Sequence, residues 1–264
     1  FYLFKNKPGE DEYKNERLYF INLLTQKFML HGFSVKKLIL GITLESPSQN
    51  QKIPILDPFS IYSIERTMIE TYLVQNYLSN TSVNEDLLNG RFEIWMRYGL
   101  LKRGNNFIIA EAKKVLESDK ENIKKLEQSI KNREFFKNLS EEKKLKFLKA
   151  YNSEWKFLFE SKKFYTVSWK KLLEEAGVNP FICEETYNFL SWHSHSQSIS
   201  LLQLQEMWKN DYEKEAIRSS IKQLNMYIAF MISDIVRSNY NFKKAYDSLS
   251  EDYKEIIDFN NLTF

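Results

Sequence analysis

The sequence predicts an all-α fold, a multi-helix bundle of about eight to ten helices. Three observations carry that prediction. Only 7 glycines and 5 prolines occur in 264 residues, and β-sandwiches and doubly wound α/β folds consume those residues in their turns. No proline lies between Pro58 and Pro180, and no glycine follows Gly177. Apolar residues recur at spacings of three and four along much of the chain, the period of a helix with one buried face. With 43% apolar and 15% aromatic residues, the chain can fill a sizeable core. The simplest organisation is a single helical domain over 1–264, with a protruding charged helical hairpin at about 105–160.

The elements follow in order. Leu18, Ile21, Leu24 and Phe28 mark a helix between Glu10 and His31, Gly32 is a fitting stop, and a second helical piece follows to Leu40. Residues 43–56, with Pro47 and Pro54, read as a loop. Asp57-Pro58 places a cap before a proline in the first helical position, where the missing N–H costs nothing, and opens a helix to about Ser79. Ser82 and Glu85 have capping-box spacing and open a helix through Leu88, Phe92, Trp95 and Met96 to near Gly104. Ile109, Ala112, Leu116, Asp119, Ile123, Leu126 and Ile130 form a heptad seam with one polar interruption at Asp119. Ser140-Glu141-Glu142 opens a helix to about Lys162, and residues 164–167 alone suggest a strand. A short helix from Trp169 to Ala176 stops at Gly177. Asn179-Pro180 repeats the cap-plus-proline start for a helix to about His195. Ile217, Ile221, Leu224, Ile228, Met231 and Ile235 mark the last long helix.

Bulk properties and missing motifs narrow the chemistry. A net charge of +3 is no footprint of a DNA-coating protein. Between Lys113 and Lys149 there are 12 basic and 7 acidic residues, read as a solvated helical face or as an arm facing RNA or phosphate. The single Cys183 excludes an internal disulfide and a multi-cysteine zinc site, and fits the cytoplasm. The apolar run from Met226 to Ile232 is far short of the about 20 residues that span a bilayer, so no membrane partner is expected. There is no glycine-rich phosphate loop, no Gly-x-Ser-x-Gly elbow and no His-Glu-x-x-His pair. His193 and His195 diverge by roughly 200° on a helix and chelate poorly. Neither a metal nor a cofactor is expected.

One polar constellation remains. Ser63, Arg66, Glu70 and Tyr77 share a helix face through spacings of three, four and seven. Tyr187, Ser191 and His195 share another through spacings of four. An imidazole at His195, oriented by Glu70, has the chemistry of a general acid or base. Arg66 can hold a phosphate or carboxylate in a two-pronged fork. Together they suit metal-independent phosphodiester cleavage by a 2′-hydroxyl. The structural alternative is an ordinary Arg66–Glu70 intrahelical pair and a Tyr187–Ser191–His195 network that fixes helix register. The serine-rich run 191–200 reads as a helix end or as a phosphate-gripping loop, and Trp192 and Trp208 are expected to pack rather than stack on bases.

At these residues the chain resembles a family of bacterial all-helical proteins, a domain of unknown function. The family's Ser-x-x-Arg-x-x-x-Glu helix matches Ser63, Arg66 and Glu70. Its Tyr-x-x-Leu-Ser-x-x-x-His-Ser helix matches Tyr187, Leu190, Ser191, His195 and Ser196. A middle helix is similar at Arg91, Trp95, Leu100 and Arg103, and the resemblance spans residues 59–204. Such proteins are similar in turn to HEPN domains, the helical nucleases of toxin and phage-defence systems. The resemblance implies a cytoplasmic defence or toxin-type protein acting on or binding RNA or nucleotides. As an enzyme it would be a metal-independent, RNase-like phosphodiesterase, with Arg66, Glu70 and His195 catalytic and Ser63, Tyr187, Ser191 and Ser196 binding. HEPN nucleases carry arginine, four to six residues, then histidine on one helix. That run is missing here, so an Arg–His pair has to form between helices, from Arg66 and His195. The alternatives are a non-enzymatic module that binds a protein partner or a second copy, and a small-ligand sensor.

Overall fold

Helix dominates the structure, a computed structural model that describes residues 16–46, 51–106, 113–195 and 197–262. Among the described residues, 77% helix in 12 segments is joined by only two small antiparallel sheets, so the fold is all-α with more helices than expected. The packing divides into two units. One comprises the described residues up to Asn76 and from Leu173 onward, the other Tyr77–Leu172.

In the first unit, α1 (Glu16–Leu38) runs straight through Gly32, contrary to the expected stop. Its buried face continues from Ile21 and Phe28 to Val35, and that packing outweighs the roughly 1 kcal/mol that an interior glycine costs. The effective stop is Gly41, at φ +81°, whose N–H donates to the Leu38 carbonyl. Residues 43–56 are not a plain loop. Strands β1 (Ile42–Ser46) and β2 (Gln51–Ile55) pair antiparallel, with Thr43 opposite Pro54. A two-stranded sheet has only edge strands, where a proline is tolerated. The Asp57-Pro58 signal acts as read: α2 spans Pro58–Ser79, and the Ser60 N–H donates to Asp57 Oδ1 at 3.0 Å.

The second unit begins within α2. Here α3 (Glu85–Asn106) is capped by Asn84, whose Oδ1 accepts from the Leu87 N–H at 2.9 Å, while Ser82 bonds back to Asn80 instead of forming the capping box. Next, α4 (Lys113–Asn132) packs along α3, joined by the one-turn α5 (Glu134–Lys137). Ile109 and Ala112 of the heptad lie outside the described residues. The interruption at Asp119 has a reason: Arg103 of α3 forks onto its carboxylate, with Nε to Oδ2 at 2.7 Å. Two more rungs follow. Arg97 grips Glu127 through Nε at 2.9 Å and Nη2 at 2.7 Å, and Arg133 grips Glu93 through both Nε and Nη2.

The helix expected from residue 140 to 162 ends early. Helix α6 covers Glu141–Ala150, and β3 (Phe157–Glu160) and β4 (Lys163–Thr166) form a hairpin that turns at Ser161, φ +51°. Trp155, Phe157 and Phe159 alternate, which is strand period. Phe157 and Phe147 are fully buried, their rings 5.2 Å apart, in a cluster that includes Phe135 and Phe164. A Cβ on Gly90 would come within 2.2 Å of the Phe135 ring, so this close approach needs glycine.

Helix α7 (Trp169–Glu175) ends at Gly177, φ +76°. The first unit, which resumes at Leu173 within α7, continues with α8 (Pro180–Ser194), preceded by Asn179, and α9 (Ser198–Asn210). Asp211, left-handed at φ +54°, separates α9 from α10 (Glu213–Ser238). Helices α11 (Tyr240–Asp247) and α12 (Glu251–Leu262) fold back on α10. Ile217, Leu224, Met231 and Ile235 of α10 are buried, as their spacing requires.

Candidate functional site

The polar faces of α2 and α8 meet. Arg66 sits at the centre. Its Nε lies 3.2 Å from Glu70 Oε1, its Nη1 3.0 Å from His195 Nε2, and its Nη2 3.5 Å from the Tyr187 hydroxyl. Tyr187 donates to Glu70 Oε1 at 2.9 Å, and the guanidinium carbon lies 5.4 Å from its ring centroid. A guanidinium has only donors. His195 Nε2 therefore accepts, which places the ring proton on Nδ1. Burial and the neighbouring Glu70 carboxylate push the Tyr187 hydroxyl up to about 12, so it stays protonated. The cluster opens to solvent through His195, while Arg66 is largely covered.

Other expected members stand apart. Ser63 is exposed and donates to the Phe59 carbonyl. Ser191 is half-buried, and its carbonyl accepts the His195 N–H. Ser196 lies outside the described residues, as does the Cys183 side chain. Tyr77, on the same sequence face as Arg66, belongs to the second unit. Its hydroxyl donates to the Phe157 carbonyl at 2.7 Å, and burial pushes it up to about 12. His193 is buried in an aromatic box of Phe59, Tyr62 and Phe189 at 4.5–5.1 Å. Burial lowers its affinity for a proton, against the opposing influence of Gln203. Trp192 and Trp208, expected to pack, are exposed at 39% and 62%.

No protein-family model, curated protein or solved structure matches this chain. Among the described residues, no group of three or more His, Cys, Asp or Glu is placed to hold a metal ion. No helix among them is long and apolar enough to cross a membrane.

One residue escaped the sequence reading. Glu65 is fully buried, and neither carboxylate oxygen has a hydrogen-bond partner among the described residues. Burial pushes its carboxyl up to about 8; the Ser220 hydroxyl opposes this without the geometry of a formed hydrogen bond. It lines a pocket of about 280 Å³ between α2, α8 and α10. The available signal was its position within the apolar stripe Ile61, Met68, Ile69 and Tyr72, where a carboxylate breaks the pattern.

Proposed function

We propose that the Arg66–Glu70–Tyr187–His195 cluster binds the phosphate of RNA or a nucleotide and, with RNA, cleaves it without a metal, as in a HEPN-like defence or toxin-type protein. What supports this reading above all is the 3.0 Å approach of Arg66 Nη1 to His195 Nε2 across two helices. The pair puts a phosphate fork beside an exposed proton acceptor, the arrangement that HEPN nucleases build on one helix. Glu70 and Tyr187 are positioning residues, because they hold the guanidinium in one orientation.

In the reaction, Arg66 turns its Nη groups to the non-bridging phosphate oxygens. His195 Nε2 takes the proton of the ribose 2′-hydroxyl, the 2′-oxygen attacks the adjacent phosphorus, and the 5′-oxygen leaves with a proton from water. The products are a 2′,3′-cyclic phosphate and a 5′-hydroxyl. The experiment is to incubate the full chain with single-stranded and hairpin RNA in excess EDTA. Cleavage with those ends is expected, lowered at least about 100-fold in His195→Ala, with unchanged unfolding. Intact RNA, or equal cleavage by the variant, contradicts the proposal.

A second reading is favoured by a specific observation. Helix α9 exposes Leu201, Leu202 and Trp208 at 57–62%. Scattered apolar residues are ordinary, but three on one helix fit a partner-binding face. Soluble Leu202→Lys and Trp208→Lys variants that lose no interaction and no self-association would count against it.

A further inference from the structure

We propose that the pocket between α2, α8 and α10 binds a small organic cation, a primary ammonium or guanidinium, with Glu65 as its counter-ion. Glu65 at the pocket wall is fully buried, and both its oxygens lack hydrogen-bond partners among the described residues. A buried carboxyl left in that condition is costly, whereas a cation in the pocket satisfies it once the sealed Glu65 side chain turns toward it. No lysine, arginine or histidine lines the pocket among the described residues; Glu185, exposed on α8, is the other acid. An anionic ligand is thereby disfavoured.

The remaining walls suit an amine. Ser220 and Gln223 from α10 present a hydroxyl and an amide that accept from N–H donors. The Tyr62 and Phe189 rings, 5.0 Å apart, offer aromatic surface, which attracts cations. The volume of about 280 Å³ falls just below the usual range of ligand pockets, roughly 300–1,000 Å³, and selects a ligand of amino-acid size or less. This inference does not rest on the Arg66 cluster, which recognises the opposite charge.

The test is calorimetry on the full chain with agmatine and putrescine as probes and sodium phosphate as the control anion. Agmatine or putrescine is expected to bind, and Glu65→Gln, which keeps shape and removes the charge, weakens it about 30-fold or more. Because Glu65 holds its proton at pH 7 until a cation arrives, binding releases about one proton, read from the dependence of the heat on buffer ionisation. Tyr62 and Glu185 are the other titratable lining groups. Tyr62, pushed up to about 12, stays protonated; Glu185→Gln in the same titration separates the second carboxyl, and proton release persists in that variant. Should Glu65→Gln not fold, the wild-type protein decides through proton release. No binding of either amine, binding without proton release, or equal binding by folded Glu65→Gln overturns the inference.

Discussion

The two units treat their buried acids in opposite ways. In the second unit, buried Glu93 meets Arg133 and Ser129, and buried Asp119 meets Arg103. Buried Arg97 uses its donors on Glu127, the Tyr151 carbonyl and Asn152, and its guanidinium stacks 3.6 Å from the Tyr151 ring centroid. In the first unit, Glu65 is buried as deeply with no such partner. Paired charges of opposite sign lock two helices in one register. A lone carboxyl locks nothing, and folding retains it at a cost. The contrast teaches that burial of a charged residue is not one phenomenon: the partner list separates a scaffold from a site.

Three variants sharpen or break this comparison. The largest effect is expected from Arg97→Ala, which strands Glu127 and the Tyr151 carbonyl. It should lower unfolding stability by about 3–5 kcal/mol, measured by urea titration. A loss under about 1 kcal/mol would break the view that these rungs hold α3 to α4.

Glu65→Gln comes next and has the opposite sign. Below about pH 4.5 both folded and unfolded chains hold the Glu65 proton. Between there and about pH 8 the unfolded chain releases it while the folded chain keeps it, so this residue removes stability as pH rises. Glu65→Gln abolishes that loss. The variant should match wild type near pH 4 and exceed it by about 3 kcal/mol at pH 7. Thermal melts from pH 4 to 8 read the difference; a gap that does not widen with pH contradicts the burial argument. The smallest effect is expected from His195→Ala. With His195 exposed and Arg66 still held by Glu70, stability should change by less than about 0.5 kcal/mol, which keeps its functional consequence readable.

Much of this was legible in the sequence. Helices follow both Asp57-Pro58 and Asn179-Pro180, and at the first Asp57 caps the Ser60 N–H, a signal that acts locally. Spacings of three and four put Arg66 with Glu70 and Tyr187 with His195, and the two faces do meet. What failed depended on long-range packing. Gly32 did not stop α1, because Val35 had a core to enter. The strand pairs 42–46 with 51–55 and 157–160 with 163–166 are short, and the second is held by the Phe147–Phe157 ring contacts, which no local pattern reveals. Asp119 looked like a flaw in a seam until Arg103 appeared opposite it. Glu65 was hidden for the converse reason. Within an otherwise apolar stripe its significance lies in the partner it lacks, and sequence lists no partners.

In the proposed function, Arg66 and His195 form an open phosphate site. The most direct measurement is the ¹⁵N spectrum of the His195 imidazole in the full chain, with and without a ribonucleoside 3′-monophosphate. The geometry predicts an Nδ1-protonated ring whose Nε2 accepts from Arg66 in the free protein. Adding the nucleotide should shift Nε2 as Arg66 turns to the phosphate, with no such shift in Arg66→Ala. A His195 resonance that ignores the nucleotide, or that responds identically without Arg66, would contradict it.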